Sequence, residues 1–258
     1  MMNRHTLDRL HEMRLLGMAE GYSEQQVQPT LQELSFDERL GLLVDQEWTY
    51  RRDRRQARLL KGAKLRLEAC MEDLDYRQSR GLNRQVMTAL FTCEWIRHQQ
   101  VVLITGPTGS GKTYIACALG NIACRHGISA RYYRLPRLVS ELALAQADGS
   151  FPNLLTRLAK IQLLILDDWG ITPLGGQEAR NLLEVIDDRA GVRSTTVASQ
   201  LPIEQWHQTI ADPTVADAIL DRLVHRAHQI TLRGESMRKV ANTTTDQLST
   251  TTTATTDH

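Results

Sequence analysis

Cysteine is scarce in this chain and its pattern is uninformative. Cys70, Cys93, Cys117 and Cys124 form no C-x-x-C pair and the eight histidines form no H-E-x-x-H. Neither a zinc site nor a disulfide framework is indicated, and reduced thiols are expected. Long apolar runs are missing too: nothing approaches the roughly 18 residues that span a bilayer, and the opening Met-Met-Asn-Arg-His lacks the apolar core of a secretory signal. A soluble cytoplasmic protein with no membrane partner is the expectation. Net charge is also small, +1 over 258 residues, a length that can bury a full core.

The charge that exists is unevenly placed. Between positions 51 and 66, Arg51, Arg52, Arg54, Arg55, Arg58, Lys61, Lys64 and Arg66 face a single acid, Asp53. With Leu59, Leu60, Leu65 and Leu67 interleaved, the segment predicts an amphipathic helix with one face in a core and the other positive, suited to a polyphosphate backbone. Upstream, Ser35-Phe-Asp-Glu38 reads as a capping box, followed by Phe36, Leu40, Leu43 and Val44 at helical spacing. A helical, basic domain for DNA or assembly is expected over 1–66. From Val101 to roughly Leu232 the pattern alternates strands (Val101 to Thr105, Ala130 to Arg134, Leu163 to Leu166, Thr195 to Ser199, Ile230 to Leu232) with helices, implying an α/β domain, expected over 67–240, with a parallel sheet flanked by helices. Pro136 fits the first turn of one of these helices. The tail 241–258, mostly threonine, has too little apolar surface to offset its chain entropy and is expected to be disordered.

Directly after the first strand stands Gly106-Pro107-Thr108-Gly109-Ser110-Gly111-Lys112-Thr113, the phosphate-binding P-loop pattern at every fixed position. Its glycines allow a tight turn that points N–H groups at phosphate oxygens, and the following helix, entered through Tyr114, adds its positive end. Lys112 is expected to reach the β and γ phosphates and Thr113 to offer its hydroxyl to Mg²⁺. The run Leu163-Leu-Ile-Leu-Asp167-Asp168 is a Walker B signal: Asp167 for the metal, Asp168 to polarise a water in line with the γ-phosphorus. The strand ending in Ser199-Gln200 offers a sensor of the γ-phosphate, either residue being the candidate. Arg222, Arg226 and Arg238 follow, and an arginine aimed at a neighbour's γ-phosphate stabilises transition-state charge. Leu174-Gly-Gly-Gln177 lies on the wrong side of the Walker B acids for a transporter ATPase, and no guanine-reading N-K-x-D exists. A second basic set, Arg131, Arg134 and Arg137, lies near Tyr132 and Tyr133. With no groove-reading motif present, DNA contact is expected mainly at phosphates and largely independent of sequence.

The order of these motifs, with Leu15-Leu-Gly-Met-Ala19, Leu42-Leu-Val-Asp45, Glu72-Asp-Leu-Asp75, Leu166-Asp-Asp-Trp-Gly170, Ala216-Asp-Ala-Ile-Leu-Asp-Arg222 and Gly234-Glu-Ser-Met-Arg-Lys239, strongly resembles the IstB-like transposition helper ATPases. These are AAA+ proteins related to the DnaC and DnaA group. The resemblance spans about 7–239. It implies an AAA+ P-loop fold and a slow ATPase that assembles with ATP and Mg²⁺ on double-stranded target DNA. It also implies recruitment or stimulation of a cognate transposase by a homo-oligomer with nucleotide between subunits. By the same resemblance Arg222 is the trans-acting finger and Arg238 the second sensor. A DnaC-like helicase loader is the alternative, since fold and ATP site would be shared.

Overall fold

The computed structural model describes residues 2–76, 81–225 and 227–234. Arg226, Arg238 and the tail 241–258 lie outside the described residues. The chain divides into two compact units, 1–61 and 62–258, at a point inside one long helix.

The first unit contains α1 (Met2–Glu12), α2 (Leu16–Val27), the single turn α3 (Pro29–Gln32) and most of α4 (Phe36–Ala63). The capping box forms reciprocally: Ser35 Oγ accepts from the Glu38 N–H at 3.3 Å, and Glu38 Oε2 accepts from the Ser35 N–H at 2.8 Å. α2 approaches α4 closely at Gly17, where a Cβ would stand 2.8 Å from the Glu47 Cα. At the same crossing Glu47 accepts the Met18 N–H at 3.1 Å. Phe36, Leu40 and Val44 stay exposed along α4, and Leu43 is half-buried.

In the second unit the elements run α5 (Arg84–Phe91), α6 (Glu94–Arg97), β1 (Val101–Thr105), α7 (Lys112–Arg125), β2 (Ala130–Arg134), α8 (Leu135–Asp148), α9 (Phe151–Lys160), β3 (Leu163–Trp169), α10 (Gly176–Asp187), β4 (Ser194–Ser199), α11 (Pro213–Val224) and β5 (His228–Thr231). The strands form one parallel sheet in the order β2-β3-β4-β1-β5. Both faces are covered, which is why β1 and β3 read as near-continuous apolar runs. On one face Leu103, Leu164, Leu166 and Val197 meet apolar residues of α8, α9, α10 and α11, with Trp169 and Trp206 buried at its end. On the other face lies α7. There a Cβ on Gly120 would come within 2.8 Å of Ile165 Cδ1 and 2.7 Å of Leu65 Cδ2.

Three sequence expectations are corrected. The basic helix predicted through Leu67 ends at Ala63: Lys64 adopts φ 49° and turns the chain, so that Leu65 packs on Gly120 while Leu67 stays exposed. The contact with α7 outweighs continuation of the helical face. β3 runs on through both acids to Trp169, and β5 starts at His228, paired with Val102. Strand pairing is a backbone property, so polar residues at a strand's end or on an edge strand extend it without an apolar signal.

Gly120 is the point where α7 touches the sheet most closely. A leucine there is expected to force α7 outward and cost about 1–3 kcal/mol, read as a lower urea midpoint for Gly120→Leu. An unchanged midpoint would contradict the close approach.

Candidate nucleotide-binding site

β1 delivers the P-loop at its C-terminal end, and two glycines shape it. Gly106 has φ 145° and a Cβ there would stand 2.6 Å from the Leu232 carbonyl oxygen, while Gly111 has φ 97° immediately before α7; neither place suits an L side chain. α7 begins without a side-chain cap, leaving its first N–H groups open to an anion. Ser110 Oγ is fully buried and has no protein partner, a hydroxyl that a ligand oxygen would satisfy. The Lys112 ammonium folds back onto the loop, donating to the Gly106 and Pro107 carbonyls at 2.7 and 2.8 Å. Burial pushes its pKa down, and the charges of Asp167 and Asp168 oppose that shift. Tyr114 donates its hydroxyl to the Cys70 carbonyl at 3.2 Å.

Asp167 is 2 % exposed at the end of β3. Its Oδ2 accepts from Thr113 Oγ1 at 2.8 Å and from the Tyr132 hydroxyl at 2.7 Å, and its Oδ1 accepts the Asp168 N–H at 2.9 Å. Burial, then the bond to Asp167, pushes the Tyr132 pKa up, so the phenol stays a donor. Asp168 has φ 63° at an irregularity in the β3–β4 register. Asp tolerates this left-handed conformation better than most residues. Arg134 Nε donates to Asp168 Oδ2 at 2.5 Å, and Arg66 Nη1 stands 3.9 Å from the same oxygen and 4.0 Å from Asp167 Oδ2. The β2–β3 pairing sets Arg134 opposite Asp167, and strand alternation puts Tyr132 on the same side as Arg134.

The end of β4 lies beside the end of β1, with Ser199 paired to Thr105. Ser199 Oγ is engaged inside the fold: it donates to the Trp169 carbonyl at 2.8 Å and accepts the Leu201 N–H at 3.0 Å. Gln200, by contrast, reaches the P-loop, where its Oε1 accepts from Thr108 Oγ1 at 2.6 Å. Arg222 sits elsewhere. Its Nε donates to Asp187 at 2.5 Å and its Nη1 to the Ala218 carbonyl at 2.8 Å. It lines a cavity of about 380 Å³ with Val101, Arg189, Arg193 and Thr195, at the edge where the strands begin. The P-loop lies where they end.

The residues expected at DNA fall in both units. Arg51, Arg52, Arg54, Arg55, Arg58 and Lys61 are exposed along the last turns of α4, with Arg51 paired to Glu47 at 2.5 Å and Arg52 to Asp53 at 3.4 Å. Lys64, Arg134 and Arg137 belong to the second unit and share a cleft with Arg66 and Arg131. Sequence reasoning did not see that Tyr132, Arg66 and Arg134 hold the Walker B acids. The only signal was the polar alternation Arg131-Tyr-Tyr-Arg134 on a strand that should pair with the acidic one.

The model of the IstB-like ATP-binding protein family matches residues 8–245. A protein of Sinorhizobium fredii (strain NBRC 101917 / NGR234) named as an insertion-sequence ATP-binding protein is 50 % identical over 234 residues, covering 91 % of this chain and 96 % of its own. A Pseudomonas fluorescens protein named as the ATP-binding protein of insertion sequence IS1162 is 54 % identical over 203 residues, 78 % of this chain and 88 % of its own. Among solved structures, DnaI aligns with TM-score 0.57 at 19 % identity, covering 69 % of this chain and 94 % of its own. The DnaC helicase loader aligns with TM-score 0.55 at 16 % identity, covering 66 % and 100 %. At those identities the structural likeness bears on fold alone.

Ser199 and Gln200 are separable by experiment. Ser199→Ala removes the hydrogen bonds to the Trp169 carbonyl and the Leu201 N–H and is expected to lose about 1–3 kcal/mol of stability, measured by denaturant unfolding. Gln200→Ala should unfold like the parent while its ATPase rate falls. The reverse assignment of losses would show that Ser199 faces the nucleotide.

Proposed function

Since this chain belongs to the IstB-like ATP-binding protein family and carries the AAA+ fold with a helical N-terminal unit, we propose that it is an ATP-hydrolysing helper of insertion-sequence transposition. In this reading it assembles with ATP on double-stranded DNA and recruits or stimulates a transposase. The observation that carries the ATPase half is the P-loop threonine standing 2.8 Å from the buried Walker B carboxylate, beside an uncapped helix N-terminus.

On nucleotide binding the Lys112 ammonium would exchange two carbonyls for phosphate oxygens, and the first N–H groups of α7 would take others. Thr113 Oγ1 and Asp167 offer the hard oxygen donors that Mg²⁺ prefers. When bound, that ion neutralises charge on the β and γ phosphates. Asp168 accepts a proton from the attacking water as its oxygen bonds to the γ-phosphorus and the bond to the β–γ bridging oxygen breaks, its electron pair leaving with ADP. Gln200, whose Oε1 accepts from Thr108 Oγ1, would sense the γ-phosphate. Arg222 would serve the site of a neighbouring copy. Arg238, assigned as second sensor, lies outside the described residues.

The exposed cations of α4 support the DNA half, because a row of arginines without a reading motif suits phosphates of any sequence. The relatives' names supply the insertion-sequence context. The helicase-loader alternative has support from fold alone.

Charge reversal at Arg54 and Arg55 should weaken binding to unrelated duplexes alike. The slope of log affinity against log salt should fall by about 0.9 for each phosphate no longer neutralised. Full affinity across a salt titration would remove α4 from the DNA surface. Arg222→Ala should keep nucleotide binding by the monomer, seen in calorimetry, yet lower the assembled ATPase rate by about 10³-fold or more. A retained rate would remove the finger assignment.

A further inference from the structure

The first unit carries a cleft of its own, about 530 Å³, lined from α2, α3 and α4. Four carboxylates rim it: Glu20 and Glu24 from α2, Asp45 and Asp53 from α4. All four are exposed, and Asp53 faces Arg52 at 3.4 Å. Among the described residues no lysine, arginine or histidine lines the cleft. Its floor is mainly apolar, with Leu42, 45 % exposed, and the half-buried Tyr50. The floor is also fixed in shape. Gly21 brings α2 directly against Gln46, and the buried Gln25 donates its amide to the Arg39 carbonyl at 2.9 Å.

The two sides of α4 differ in sign. At about 100° per residue, Arg51, Arg55 and Arg58 fall on the far side of the helix from Thr49 and Asp53, which line the cleft. A duplex lying on the arginine row therefore leaves the cleft uncovered, and the carboxylates of its rim repel phosphate. The cleft suits the reverse of DNA: long cationic side chains whose methylene stems lie on the apolar floor while their heads meet the acids. Asp45 and Asp53 stand eight residues apart in α4, about 12 Å along the helix, which two turns of a basic amphipathic helix would match.

We infer that this cleft docks a cationic helical segment of the transposase, so that one small helical unit holds DNA on one side and the partner protein on the other. A protein that handles DNA itself carries lysine- and arginine-rich surface, the charge this rim accepts. The inference rests on the transposition reading above and adds the surface and the chemistry by which the partner is held. The rim acts before contact as well, since opposite charges steer encounter, so association is fastest at low salt.

The test is the affinity of the transposase of the same insertion sequence for the full chain assembled with ATP on a mixed-sequence duplex, measured over its binding to the duplex alone. Glu20→Lys with Glu24→Lys should weaken it about tenfold or more, since like charges then face each other, while DNA affinity stays at or above the parent's and thermal melting is unchanged. Glu20→Gln with Glu24→Gln should give a smaller loss in the same direction, and decides the matter if the lysine pair melts early. A photoreactive amino acid in place of Thr49 should crosslink to a lysine- or arginine-rich stretch of the transposase. Undiminished transposase affinity in both double variants would overturn the docking cleft while leaving the transposition reading intact. Crosslinking to α4 of a second copy, or to DNA, would overturn the assigned occupant. A parent that does not bind the transposase at all removes both the occupant and the transposase half of the reading above.

Discussion

The buried carboxylate of Asp167 is the constraint around which the site is built. A carboxylate sealed from water costs several kcal/mol unless its charge meets donors, and here three come from three segments. Thr113 reaches it from the start of α7, Tyr132 from β2 and the Asp168 N–H from β3 itself. Each bond also fixes geometry. The helix that starts at the end of the P-loop, the strand that carries Arg134 and the turn that presents Asp168 are tied to one oxygen pair.

The same economy governs Lys112. The side chain is buried and its pKa is pushed down, yet the ammonium keeps two carbonyl partners 2.7 and 2.8 Å away. Those partners belong to the loop that would hold phosphate. Under the proposed nucleotide binding, exchange of carbonyl for phosphate oxygen would replace neutral acceptors with charged ones. Ser110, buried without a partner, stands in the same cradle.

Local patterns made the sheet and the loop legible. The first two strands, the capping box at Ser35 and the P-loop all depend on residues adjacent in sequence, and each lies where spacing placed it. What escaped depends on register between segments far apart. Arg134 reads as a surface cation until the parallel pairing of β2 with β3 sets it against the acids. Arg66 reads as the tail of a basic helix until Lys64 turns the chain and Leu65 inserts against Gly120. Ser199 and Gln200 were equivalent in sequence because strand alternation does not say where a strand stops facing the core. Ser199 is still inside it, and the first residue beyond is the one that touches the loop.

Arg222 bears on how copies of the chain can meet. It lies with Val101 and Thr195 at the edge where strands begin, and the P-loop follows Thr105 at the other edge. Five residues of strand separate these edges by about 16 Å, and Asp187 holds the guanidinium in place. An arginine so fixed cannot complete the nucleotide site of its own chain. If it completes a neighbour's, the two surfaces in contact are different ones, the strand-start edge of one copy against the P-loop edge of the next. A two-fold dimer joins a surface to itself, so it cannot satisfy this requirement at any site through one interface. Head-to-tail contact can, and repeated head-to-tail contact generates rings or helical filaments.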